Sequence, residues 1–296
     1  FHVLAPVWKR PWFIALSVLT LLLLAVTSGS AWQRHKRWRV AQAQLIDELE
    51  SELQEAHEMQ MGLLPRFPIT HDGFDVAGRC WPANHVGGDY FTYYWLDDEQ
   101  HMLGFGAADV SGKAMKAAVR AMQLSGIFRY EFREAKPPQE VLSNLHLELQ
   151  SHLDSASFIT CCLGMLDVRT GLINLGNAAH PFPYHYSAAT GDLRMLELMS
   201  VPLGMQLPVG TNTDPEVVDV VLEPGDALIL YSDGVTDMQT VAGEFYEEER
   251  LENLIREHVG DGTEALINAV FDDLRVFKGE APQADDVTLL VIKRSA

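Results

Sequence analysis

Residues 12–31 run for twenty positions without a charged side chain, and Leu, Ala, Val and Ile dominate them. As a helix rising ~1.5 Å per residue, such a run reaches ~30 Å, the thickness of a bilayer's hydrocarbon layer. Trp8, Trp12 and Trp32 stand near its two ends, where indoles favour the membrane interface. A cleaved signal peptide has a shorter apolar core, although Gly29-Ser30-Ala31 has the small residues of a processing site. Arg34, Lys36, Arg37 and Arg39 follow at once and outnumber Lys9 and Arg10 on the other side, which orients the following chain to the cytoplasm. The expectation is a single-pass membrane anchor over residues 12–32. The chain starts at Phe1, so residues 1–11 read as the remnant of a longer N-terminal region.

Residues 33–61 contain neither Gly nor Pro. Ile46, Leu49, Leu53, Ala56, Gln60 and Leu63 recur at three- and four-residue steps, with Glu48, Glu50, Glu52, Glu55 and Glu58 on the flanks. That spacing suits a coiled-coil seam joining two copies of the chain, and equally one face of a single amphipathic helix. Pro65 disfavours helical geometry in the residue before it, so residues 33–66 read as a helical linker and 67–296 as the following domain.

Charge divides along the same line. The formal charge is −19; the first 46 residues hold +6 and no acidic residue, so the remainder carries −25. This argues against a nucleic-acid partner and suits a solvated acidic exterior or metal capture. Cys80, Cys161 and Cys162 are an odd set with no C-x-x-C pair, which reads as reduced core cysteines instead of a disulfide or zinc site.

From Phe67 onward the pattern turns to short strands. Residues 74–81, 90–96, 102–110, 158–168, 172–175, 183–187, 193–198, 217–222, 227–232 and 287–293 read as strands, and 113–132, 138–152, 247–258 and 263–277 as helices. Helices that do not alternate strictly with strands imply an α+β fold with largely antiparallel sheets.

Four aspartate sites lie at the edges of these strands beside small residues. They are Asp89 in Val86-Gly87-Gly88-Asp89-Tyr90, Asp109 in Ala107-Ala108-Asp109-Val110-Ser111-Gly112, Asp233 in Leu230-Tyr231-Ser232-Asp233-Gly234, and the pair in Ala284-Asp285-Asp286-Val287-Thr288. One Asp at a strand end is usually a turn former or helix cap. Four in one domain point to a shared purpose, since crowded carboxylates repel one another unless a cation holds them. Oxygen-only ligands suit hard divalent ions. The combination reads as a two-metal phosphate-ester hydrolase, in which paired cations activate water and no protein nucleophile is needed. None is evident: the cysteines lack a phosphate-cradling loop, and no G-x-S-x-G elbow occurs.

These motifs, with Asn177-Ala178-Ala179-His180-Pro181, Pro202-Leu203-Gly204-Met205, Glu223-Pro224-Gly225-Asp226 and Asp233-Gly234-Val235-Thr236-Asp237, resemble in chain order those of the SpoIIE/RsbU-type serine phosphatases. That group is a bacterial branch of the metal-dependent PPM (PP2C-like) family. The similarity spans residues 67–294, and Gln60-Met61-Gly62-Leu63-Leu64-Pro65 is similar to the segment preceding the domain in membrane-linked members. The resemblance implies an αββα sandwich, two antiparallel sheets face to face with helices outside, here preceded by the transmembrane helix and the linker. It implies two divalent cations, Mn²⁺ or Mg²⁺, held by Asp89, Asp109, the Val110 carbonyl, Asp233 and Asp285, with Asp109 at or near the bridge and Asp286 supporting from behind. It further implies phosphoserine or phosphothreonine on a regulatory protein as substrate, typically a STAS-domain anti-sigma-factor antagonist, under a membrane-linked sensor.

Other residues keep two readings. His180 either protonates the leaving serine oxygen or braces its loop ahead of Pro181. Arg79 and Lys113 either meet a phosphate or end in surface ion pairs. Tyr90 and Phe91 read as core. The chain departs from the family pattern at Thr92-Tyr93-Tyr94, where an acidic residue is frequent, and at Ala114 and Ala179, where Gly is usual; Ala resists positive φ. Those departures keep open a catalytically weak scaffold that only binds partners. A nucleotide cyclase, suggested by Gly87-Gly88-Asp89-Tyr90-Phe91, leaves every downstream motif unexplained.

Overall fold

The computed structural model describes residues 6–112, 114–154, 157–208 and 210–296, and of Ala114 the backbone only. The chain divides into two compact units, Phe1–Glu55 and Ala56–Ala296. Helix α1 (Pro11–Met61) makes up nearly all of the first, and its residues from Ala56 belong to the second. In its apolar part the hydroxyls of Ser17, Thr20 and Thr27 donate to the carbonyls of Phe13, Leu16 and Leu23, so these polar groups are satisfied within the helix. Among the described residues α1 is the one helix long and apolar enough to cross a bilayer, by length and composition.

The second unit is a sandwich of two sheets. One has the order β1 (Ile69–His71), β2 (Phe74–Trp81), β11 (Val287–Arg294), β10 (Ala227–Tyr231), β7 (Tyr184–Tyr186), β8 (Leu193–Met195). The other has the order β3 (Tyr90–Trp95), β4 (Met102–Val110), β5 (Ile159–Asp167), β6 (Leu172–Ala178), β9 (Glu216–Val221). Every pairing is antiparallel. Helices α2 (Ala114–Glu131) and α3 (Pro138–His152) cover the five-stranded sheet. Helix α6 (Thr263–Lys278) lies on β2 and β11, with α5 (Glu247–His258) against it. This is the expected αββα arrangement.

The central strands are covered on both faces, which is why they read as largely apolar runs. Along β10, Leu228 and Leu230 enter the core shared with the five-stranded sheet, while Ala227, Ile229 and Tyr231 meet the side chains of α5 and α6. Along β11, Leu290 and Ile292 take the first direction and Val287, Leu289 and Val291 the second, the two-residue alternation of a strand. Cys161 and Cys162 are buried, Cys80 is partly so, and all three are free thiols. Among the strands and α-helices of the described residues, two lie outside the expectation: the three-residue β1, too short to carry a periodic signal, and α4 (Asp233–Thr236), a single turn directly after β10. Strand β8 stops at Met195, short of the expected 198, and β6 continues through Ala178.

Candidate active site

The register of each sheet gathers its aspartates at one end. Strands β3 and β4 pair with Tyr90 opposite Ala108, which puts Asp89, just ahead of β3, and Asp109, next to last in β4, at the same edge. Strands β10 and β11 pair with Tyr231 opposite Leu289, bringing together Asp233, the first residue of α4, and Asp285-Asp286, just ahead of β11. Across the sandwich, Asp109 and Asp89 feel the carboxylates of the other sheet. The Asp109 carboxyl is pushed up to about 7 by burial and then by the charges of Asp233, Asp285 and Asp286. Asp89 is raised well above the usual carboxylate range by burial and then by the charges of Asp109 and Asp286. Asp233 is raised by burial, Asp285 and Asp237, although its residue is exposed overall.

Asp286 organises the segment leading to Asp89. Its Oδ1 accepts from the Ala83 amide at 2.7 Å, and its Oδ2 accepts from Gly88 at 2.6 Å and Asp89 at 3.4 Å. Both carboxylate oxygens are therefore occupied by backbone, whereas Asp285 stands exposed with its Oδ1 accepting only the Asp286 amide, at 2.9 Å. Two glycines permit the approach. A Cβ on Gly87 would fall 2.1 Å from Asp286 Oδ2, and one on Gly234 would fall 1.9 Å from the Asp286 carbonyl. Ser232 locks the other strand end, accepting from the Thr288 amide at 2.9 Å and donating to the Asp286 carbonyl at 3.3 Å. Val110, buried at the end of β4, donates its amide to the Gly88 carbonyl at 3.4 Å.

The family described as Stage II sporulation protein E (SpoIIE) matches residues 99–295, about two thirds of the sequence. The chain belongs to the SpoIIE family. It is 27% identical over 274 residues to phosphoserine phosphatase RsbU of Bacillus subtilis (strain 168), covering 93% of this chain and 78% of that protein. It is similar in structure to the SiaA-PP2C domain of Pseudomonas aeruginosa, with a TM-score of 0.70 at 20% identity over 83% of this chain and 97% of that one. The SpoIIE phosphatase domain of Bacillus subtilis, solved with a fragment of its regulatory domain, gives a TM-score of 0.63 at 13% identity, covering 77% and 64% of the two chains. The chain is thus a PP2C-like protein serine/threonine phosphatase by family and by fold.

A cleft of about 290 Å³ opens on this SpoIIE-family site, lined by Asp109 and Asp233 together with Thr160, Ala179 and His180. His180 is 3% exposed; its Nδ1 lies 2.9 Å from Thr160 Oγ1, and its Nε2 makes no hydrogen bond of ordinary geometry. Burial drives its pKa down to about 3, so the imidazole is neutral near pH 7. Asn177 fixes the loop by accepting from the His180 amide at 2.9 Å and donating to the His180 carbonyl at 3.0 Å. That small ring of bonds holds Ala179 at φ +55°, the left-handed conformation that Gly adopts without strain.

Not every candidate reaches the site. Arg79 points to α6, donating to Asn268 Oδ1 at 2.8 Å with its guanidinium over the Phe271 ring. Lys113 lies outside the described residues. Tyr90 and Phe91 are core. Two residues take part that the sequence reading passed over: Asp237, whose charge reaches Asp233 and Asp285, and Gln60, buried beside Gly87. Asp237 carried a signal, four residues after Asp233 in the same motif; Gln60 stood out only as a polar residue in an apolar seam.

The donor set suits hard divalent cations. Asp89 Oδ2 is buried without a hydrogen-bond partner, and burial together with neighbouring carboxylates raises Asp89 and Asp109, a cost that a cation removes. Among the described residues no three His, Cys, Asp or Glu side chains converge as a formed shell. The fit therefore rests on burial, charge and the all-oxygen donor set.

Proposed function

We propose that the chain hydrolyses phosphoserine or phosphothreonine on a regulatory protein, using two divalent cations, Mg²⁺ or Mn²⁺, held by Asp89, Asp109, the Val110 carbonyl, Asp233 and Asp285. The observation that supports this reading is that Asp109 and Asp233, carried by different sheets of a PP2C-like fold, line one cleft, where the charges of Asp233 and Asp285 add to burial in raising the Asp109 carboxyl. When bound, the cations supply an acidified water and a counter-charge for the phosphate. The protein's own part is positional. Asp286 and the Ser232–Thr288 pair fix the backbone that carries the aspartates, and the cleft beside Asp109 and Asp233 admits the phosphoester. Neutral His180 braces that cleft through Thr160 and offers no ammonium-like charge to the substrate.

The substrate class draws on the likeness to RsbU and to the RsbU and RsbW domains of Rv1364c from Mycobacterium tuberculosis, the latter 25% identical with a TM-score of 0.61. It is best matched by a phosphorylated STAS-type anti-sigma-factor antagonist. The apolar part of α1 serves as the membrane anchor with the catalytic unit in the cytoplasm, and the rest of the helix as the linker through which two copies pair and a sensor acts. A partner-binding scaffold is the second reading, favoured by the strained Ala179 beside the cleft.

The deciding experiment measures hydrolysis of a generic phosphoester by the full chain in detergent, with Mn²⁺ or with chelator, for wild type and Asp233→Asn. Metal-dependent turnover lost in the variant supports the enzyme. A folded wild type without turnover, binding partners all the same, supports the scaffold.

A further inference from the structure

Residues 83–89 form a loop without regular secondary structure, yet Val86, Gly87, Gly88 and Asp89 are buried. Buried backbone amides and carbonyls need partners, and the loop's own conformation supplies few. Asp286 serves one side of it, as described. The other side is served by the end of α1. Gln60 is 5% exposed; its Nε2 donates to the Gly87 carbonyl at 2.6 Å, and its Oε1 accepts from the Gly87 amide at 3.0 Å. The carboxamide thus pairs edge to edge with one residue's backbone, as a neighbouring strand would. One turn earlier, His57 Nδ1 lies 2.6 Å from the His85 carbonyl.

We infer that Gln60 is a positioning residue for the active site: its carboxamide fixes the Gly87 peptide and, through Gly88, the placement of Asp89, so that the last turn of α1 sets cation affinity on the Asp89 side. The inference rests on the reading of Asp89 as a ligand. The chemistry singles out glutamine. Pairing with both polar groups of Gly87 requires a donor and an acceptor side by side at the end of a two-carbon stem. Glutamate presents two acceptors and sets one against the Gly87 carbonyl; asparagine is one carbon too short. This explains a polar residue at a seam position whose neighbours are Ala56 and Leu63, where a leucine would serve a coiled coil better.

The test uses the full chain in detergent with Gln60→Leu, which keeps bulk and loses both bonds, Gln60→Glu, which keeps one, and Met59→Ala, an exposed change on the same turn. Mn²⁺ affinity is measured by calorimetry without substrate, and amide exchange of residues 83–89 by mass spectrometry, with far-ultraviolet circular dichroism to establish folding. Gln60→Leu is expected to weaken Mn²⁺ binding by ~10–100-fold, the usual effect of losing a group that orients a ligand, with Gln60→Glu between it and wild type. Exchange should quicken at 86–89 in both and stay unchanged in Met59→Ala. Gln60→Glu alone decides the matter if Gln60→Leu does not fold. Normal Mn²⁺ binding by wild type and by the folded Gln60 variants overturns the positioning role alone, as does equal loosening in Met59→Ala. A wild type that binds no Mn²⁺ overturns the ligand reading and this inference with it.

Discussion

Asp89 and Asp233 approach the same site from different sheets, and their surroundings have little in common. Asp89 is 3% exposed, at the end of a buried loop gripped by Asp286 on one side and Gln60 on the other. Asp233 is exposed, begins a one-turn helix, and has Asp237 and Asp285 for company, both also exposed. One side is built in advance at the expense of burying charge; the other is open to solvent and to whatever enters the cleft. The built side should therefore govern how tightly cations are held, and the open side how freely they and the phosphate exchange. Asp109 belongs to both, being in electrostatic contact with Asp89 and with Asp233.

The largest expected effect follows from that shared position. Asp109→Asn should lower turnover of a generic phosphoester in excess Mn²⁺ by more than about a thousandfold, since the carboxylate common to both sides is gone. The fold should survive, because the substitution removes one of several mutually repelling charges. Turnover near the wild-type rate in a folded variant would break the comparison at its root.

Stability should separate the two sides next. Asp286→Ala leaves two buried amides and one half-buried amide without their acceptor, and Asp285→Ala removes one exposed carboxylate whose Oδ1 accepts a single amide. Urea unfolding of the metal-free protein is expected to show a loss of about 2–4 kcal/mol for the first and under about 1 kcal/mol for the second. Equal losses would mean that the Asp89 loop is no better anchored than its exposed counterpart.

A smaller effect comes from protons. The Asp109 carboxyl titrates at about 7 in the folded metal-free protein, raised by burial and by Asp233, Asp285 and Asp286. The unfolded chain releases that proton near pH 4, so between about pH 4 and 7 the folded state holds more protons and its stability from this group falls as pH rises. In chelator, wild type should lose ground to Asp109→Asn as pH is raised from about 5 to 8, and added Mn²⁺ should reverse the trend by binding the ionised form. A melting difference that stays flat across this range would sink the assignment.

Much of this contrast was legible in the sequence, and the rest fails to show there for physical reasons. The strands were legible because both faces of β10 and β11 are covered, leaving Ala227 to Tyr231 and Leu289 to Ile292 as continuous apolar runs. The aspartates were legible because each sits where such a run ends beside small residues, and Gly87 and Gly234 are small because Asp286 presses on both. The meeting of Asp109 with Asp233 was not readable from local pattern, since it depends on how two separately paired sheets face each other. Arg79 shows the same limit: only the packing of α6 reveals that it turns to Asn268 and Phe271. Gln60 was hidden for another reason. Heptad spacing describes positions around a helix, and it assigns the same meaning to a seam residue whether its neighbour is a second helix or a loop backbone.

The smallest expected effect concerns the corner between the two sides, where Ala179 holds φ +55° next to His180. An L-residue in this conformation costs roughly 1–2 kcal/mol, which glycine avoids while losing about 0.5–1 kcal/mol to its greater freedom when unfolded. The net gain for Ala179→Gly is therefore centred on ~0.75 kcal/mol (~0–1.5 at the extremes), and for a unit of this size the melting temperature should rise by about 2–3 °C. The Asn177–His180 hydrogen bonds already define the loop, so Mn²⁺ affinity should not change, because neither the Asp89 loop nor the Asp233 turn depends on residue 179. A gain in turnover with no gain in melting temperature would instead show that the alanine strains the cleft only when substrate is bound. Calorimetric melting with a metal titration on the same samples distinguishes the two, and a drop in melting temperature would show that Ala179 is held by contacts worth more than its backbone strain.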